Sequence, residues 1–241
     1  MSVIKSAENT PVDPREDLRR PGWPEIIIGV AVAFLLLSIT PVVSGLLPDA
    51  DMRNRGLLLM CWSVVVPFAG FTAAKLVRSR PLTDFAIRAT TRRWLLAAVG
   101  IGIAAFLVKG VVNMAIMTLT GFEENAQSAF YDSSSSGLLP LVVMVATVSL
   151  LVPIGEEFLF RGVLMRGLLR YGAVVAVLGS TMVFAVFHGI NMALPSAFVV
   201  GLVAAEVTRR CGSIWPAVVI HVVNNLAAPV FVVLGGASAV G

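Results

Sequence analysis

Seven stretches of apolar residues alternate with polar connections along the chain, at 26–47, 56–77, 94–119, 138–160, 173–193, 196–207 and 214–234. They run well past the usual length of a strand and lack two-residue alternation, so each predicts a helix. At a rise of about 1.5 Å per residue, roughly 20 residues cross the hydrocarbon of a bilayer. The sixth stretch is short, which predicts a tilted helix or one set into the protein rather than against lipid. The pattern therefore predicts an all-α, polytopic integral membrane bundle of about seven transmembrane helices. Residues 1–25 are polar, mixed in charge and hold four prolines. They read as a polar tail, with 26–241 as a single membrane domain.

Composition narrows the class further. Of 241 residues, 57% are hydrophobic and 13% charged, and the mean hydropathy is +0.90. A soluble domain of this size cannot hide so much apolar surface, which excludes a soluble enzyme and a disordered chain. Cys61 and Cys211 stand far apart and outside any CxxC, so they suggest neither a disulfide scaffold nor a metal framework.

The net charge of +4 gains meaning only by position. Fifteen of the 18 basic residues lie in the tail, between stretches two and three, after stretch four and after stretch six. The third connection carries Glu123, Glu124 and Asp132 with no basic residue. Excess Lys and Arg marks the cytoplasmic side, so the N-terminus is expected in the cytoplasm and the C-terminus outside. Membrane orientation accounts for the basic balance, and no nucleic-acid partner is expected.

Few ionisable residues then remain in or near the spans: Lys109, Glu156, Glu157, Arg161, His188, Glu206 and His221. Each is costly in a bilayer and is a functional candidate for that reason. Glu157 and Arg161 stand at i and i+4, which suits an ion pair and frees Glu156 for a cavity. Phe184 and His188 share one helix face, as do His221 and Asn225. If 138–170 is one helix turning at Tyr171–Gly172, Glu156 and His188 come to matching heights in an antiparallel hairpin. A carboxylate and an imidazole beside water make a general-base pair, and a second His with Asn makes an oxyanion site. The same Glu156, His188 and His221 are also acceptable zinc ligands, so the cofactor is either none or a divalent metal such as zinc.

The order Glu156-Glu157-x-x-x-Arg161, Phe184-x-x-x-His188 and His221-x-x-x-Asn225, each in its own helix, resembles the CPBP (Abi) family of intramembrane proteases. That family includes the type II CAAX prenyl endopeptidases and bacteriocin-processing or immunity proteins. The resemblance covers 138–234. It implies that Glu156 activates water with His188, that His221 and Asn225 stabilise the oxyanion, and that Glu157, Arg161 and Phe184 support them. It also implies a peptide or protein substrate cut near the membrane; the mechanism is expected to act at the cytoplasmic face, with Glu156, His188 and His221 lining one cavity reachable from the cytoplasm. The Ala-, Val- and Gly-rich composition points to a bacterial inner membrane. A non-catalytic immunity or interaction protein of the same fold is the alternative. A transporter or channel is a third reading, with Lys109 and Asn113 on its pathway; Lys109 instead paired with Glu157 or another acid of the bundle is the structural alternative.

Overall fold

The computed structural model describes residues 19–122 and 128–238, with side chains described as far as 234. Glu123, Glu124 and most of the polar tail lie outside them. The described residues form helices and no strand. In chain order these are α1 (Trp23–Ser38), α2 (Thr40–Ser44), α3 (Met52–Arg78), α4 (Arg92–Thr120), α5 (Ser128–Ser134), α6 (Leu138–Tyr171), α7 (Ala173–Phe187), α8 (Ala193–Cys211), α9 (Trp215–Asn225) and α10 (Ala227–Ser238). The protein is a multi-pass helical membrane protein. Among the described residues, five helices are long and apolar enough to cross a bilayer: Trp23–Ser44, Met52–Arg78, Arg92–Thr120, Leu138–Tyr171 and Trp215–Leu234. The other two expected stretches differ. One is the apolar but 15-residue α7. The other is α8, 19 residues long and ending in a cluster of Glu206, Arg209 and Arg210.

Two boundaries depart from the apolar pattern for identifiable reasons. The first helix starts at Trp23, inside the expected tail, because Pro24 suits a first turn and Glu25 is neutralised there. Glu25 is fully buried. It accepts from Arg80 Nε at 2.7 Å and from the Gly22 N–H at 3.0 Å. The fifth stretch, apolar through Ala193, stops being helical at Phe187. Gly189 has φ +78°, a left-handed turn open to glycine, and Asn191 bridges the break. Its Nδ2 donates to His188 O at 2.6 Å and its Oδ1 accepts from Ala193 N at 2.7 Å. Hydropathy does not register such a break, yet the break puts His188 at a helix end.

Close packing comes from small residues. Gly29 and Ala33 on α1 face Gly70 and Ala74 on α3, two small-x-x-x-small pairs. A Cβ on Gly70 would lie 2.7 Å from Gly29 O, so the two backbones touch. Helix α6 is not uniform. Its turns widen to i→i+5 bonding over Val145–Leu151 and Phe158–Met165, on either side of Val152–Glu157. Pro153 has no N–H for the preceding turn. Such widened turns release carbonyls and often mark functional sites.

Between the site and the basic end of the bundle lies an aromatic layer. Phe85 comes from the short 3₁₀ turn Leu82–Phe85 and is fully buried. It packs edge-on against Phe71 at 5.2 Å, and Phe71 packs against Phe158 at 5.0 Å. The segment around it is tied to the α8–α9 turn, where Ile214 N donates to Ala86 O at 3.1 Å and Ser213 Oγ to Arg88 O at 2.7 Å.

Candidate active site

The three helices that carry the candidate residues converge. Glu156 sits between the two widened turns of α6, His188 caps the C-terminus of α7, and His221 is six residues into α9. Glu156 Oε1 lies 3.9 Å from His188 Nε2, and Oε2 lies 3.5 Å from His221 Nε2. One carboxylate thus faces both histidines of the chain. Its side chain is 7% exposed, and Oε2 has no hydrogen-bond partner.

The partners on the far side of each ring fix its orientation. His188 Nδ1 lies 2.9 Å from Phe184 O, so it donates there and leaves the Nε2 lone pair toward Glu156. The Phe184 ring stands edge-on to the His188 ring at 4.7 Å. His221 Nδ1 lies 3.0 Å from Glu157 Oε1, and Arg161 Nη1 donates to that same oxygen at 3.0 Å. The i to i+4 spacing predicts the Glu157–Arg161 pair. It gives no sign of the bond to His221, which is 64 residues away. Arg161 is fully buried, donates from Nη2 to Gly201 O at 3.0 Å and lies 4.5 Å from the Phe184 ring centre. Glu157, Arg161 and Phe184 therefore form one packed support beneath Glu156, His188 and His221.

Asn225 reaches the cluster from the last turn of α9. Its Nδ2 donates to Val148 O at 3.0 Å, a carbonyl within the first widened turn of α6. That uses one of its two N–H bonds and leaves one for another acceptor. The neighbouring Asn224 points away from the cluster, donating to Gly102 O at 3.1 Å and Ile220 O at 2.9 Å.

Glu156, His188, His221 and Asn225 line a cavity of about 300 Å³. Its remaining walls are mostly apolar, among them Leu37, Leu59, Trp62, Val66 and Phe130. Their positions decide where it opens. Leu37 and Thr40 are at the far end of α1 from Arg19 and Arg20. Leu59 and Trp62 are in the half of α3 away from Lys75 and Arg78. Ala129 and Phe130 belong to α5, in the connection that lacks basic residues. The cavity thus extends away from the basic end, with the aromatic layer on its other side. The expectation is a site reached from the cytoplasmic side. The hairpin heights locate Glu156 and His188 along their helices, but only packing decides which side of them is filled.

One further expectation changes. Lys109 meets no acid among the described residues; its Nζ donates to Asn224 O at 3.4 Å and lies 5.2 Å from the Phe106 ring centre. For the zinc alternative, no group of three or more His, Cys, Asp or Glu among the described residues is placed to hold a metal ion.

Residues 138–227 match the family model described as Type II CAAX prenyl endopeptidase Rce1-like. No curated protein and no solved structure matches the chain. The matched segment starts with α6 and ends two residues after Asn225, so it contains every residue of the cluster and of its support. Over residues 138–227 this chain is therefore similar to the Type II CAAX prenyl endopeptidase Rce1-like family.

Proposed function

We propose that this protein is an intramembrane endopeptidase that hydrolyses a peptide bond by direct attack of water. The observation that carries the reading is a single carboxylate, Glu156, set 3.5 and 3.9 Å from two imidazoles at the wall of an apolar cavity. The 3.9 Å gap to His188 is too long for a direct hydrogen bond, and both atoms can accept from one water molecule. Either can take the proton as the water oxygen attacks the peptide carbonyl. Charge then develops on the carbonyl oxygen, where His221 and the second N–H of Asn225 stabilise it. The proton returns from the same pair to the leaving amine as the C–N bond breaks. Glu157 keeps the His221 ring in place, and Arg161 keeps Glu157 in place.

The assay is cleavage of quenched apolar peptides by the purified protein in detergent. Asn225→Ala is expected to lower kcat by about 10²–10³-fold, the usual cost of losing one oxyanion donor. An unchanged kcat removes Asn225 from the mechanism. Cleavage by the parent protein, lost with the cluster, separates this reading from a non-catalytic interaction protein.

In this reading the protein sits in a bacterial inner membrane with its basic ends in the cytoplasm. The substrate then enters from the opposite, extracytoplasmic face. A variant lacking Cys61 and Cys211 and carrying Ala129→Cys is expected to react with a membrane-impermeant maleimide in right-side-out vesicles and not in inverted ones. The reverse pattern overturns the direction of entry.

A further inference from the structure

Two helices with prolines in their ladders meet beside Asn225. In α6 the widened turn sends the Val152 N–H back five residues to Thr147 O. In that register the next carbonyl, Val148 O, would take the N–H of residue 153, and Pro153 has none. At the end of α9, Asn225 O stands four residues before Pro229, which also has no N–H to give. The Val230 N–H goes to Leu226 O at 3.4 Å. Carbonyls left in this way within a bilayer take a donor from elsewhere in the protein.

Each helix supplies the other. Asn225 Nδ2 donates to Val148 O at 3.0 Å, and Ser149 Oγ donates to Asn225 O at 3.2 Å. The second bond is not the one a helical hydroxyl usually makes. Such a group ordinarily turns back to the carbonyl four residues before it, as Thr147 does to Val143 O at 2.7 Å. Ser149 is fully buried, and its hydroxyl reaches across 76 positions instead. Asn225 is thereby held at both ends, by its carboxamide and by its backbone. With one N–H given to Val148 and the main chain pinned by Ser149, the direction of the second N–H is set by α6. Glu156 stands seven residues beyond Ser149, about two turns along the same helix. The carboxylate that takes the proton and the amide that meets the developing charge thus share one support.

We propose that Ser149 is a positioning residue of the protease and acts through Asn225 by clasping its backbone carbonyl. This rests on the endopeptidase reading of the Glu156 cluster. Fully buried, Ser149 meets no substrate itself.

The first measurement needs no turnover. In full-length protein carrying isotope-labelled asparagine in detergent micelles, the side-chain amide signals of Asn225 are identified by their loss in Asn225→Ala. They are expected to shift and broaden in Ser149→Ala, as the carboxamide loses its fixed setting. Signals that stay in place overturn the proposal. Turnover is then read on the quenched apolar peptides. Ser149→Ala is expected to lower kcat about 10- to 100-fold with KM within about twofold, the pattern of a misplaced transition-state donor. Ser149→Cys, which keeps the size and a weak S–H donor, is expected to fall between Ser149→Ala and the parent. In the Asn225→Ala background, adding Ser149→Ala is expected to alter kcat by less than about twofold, because the group it positions is gone. Equal losses in both backgrounds show a general loss of structure and overturn the proposal, as does an unchanged kcat in the parent background. If the Asn225 signals depend on Ser149 and the parent protein cleaves no peptide, the clasp stands and the endopeptidase reading falls.

Discussion

Glu156→Gln is expected to lower peptide cleavage by about 10²–10⁴-fold while leaving the protein folded, because it removes the proton acceptor and little else. The two side chains have nearly the same shape. Glu156 Oε2 has no hydrogen-bond partner to lose, and the carboxylate is 3.5 and 3.9 Å from its histidines rather than in a tight bonded pair. Exchanging a buried carboxylate for an amide also relieves a desolvation cost. The thermal unfolding temperature in detergent is therefore expected to stay level or rise. A Glu156→Gln protein that is folded and cleaves at the parent rate removes Glu156 from the chemistry. One that fails to fold gives Glu156 a structural role instead.

Arg161→Met is expected to act in the opposite way, through the fold first. Arg161 is fully buried and holds Glu157 and the Gly201 carbonyl, each at 3.0 Å. Its removal leaves Glu157 charged, fully buried and in contact with His221 alone. Breaking one side of a buried ion pair costs about 3–5 kcal/mol. The measurement is a denaturant or thermal unfolding curve of the purified protein in detergent micelles. Glu157→Gln combined with Arg161→Met is expected to recover much of the loss, because the stranded charge goes with its partner. A single variant within about 1 kcal/mol of the parent shows that water or lipid reaches the pair. The two substitutions separate the layers of the site. In the proposed reading Glu156 carries chemistry on a stable frame, and Arg161 carries the frame.

The residues of this site were legible in the sequence for a simple reason. In a chain with two histidines and few charges within its spans, each intramembrane polar group stands out, because bilayer solvation penalises every one that does no work. Spacing along one helix was legible too. Glu157 and Arg161 are an i to i+4 pair, and the Glu156 and His188 heights follow from the rise of about 1.5 Å per residue on either side of Gly172. Bilayer thickness and apolar run length set the membrane class.

Tertiary packing decided the rest, since it joins residues that no local period relates. The hydrogen bond from His221 to Glu157 spans 64 positions. The hold of Asn225 on Val148 depends on a carbonyl in a widened helical turn. The helix break at Gly189 is set by a left-handed backbone angle and an Asn191 bridge within an apolar run. The direction of the cavity depends on which side of Glu156 the rings of Phe71, Phe85 and Phe158 fill. Sequence periodicity assigns a side chain to a face of its own helix. Whether that face meets an aromatic layer or open space depends on helices far away in the chain.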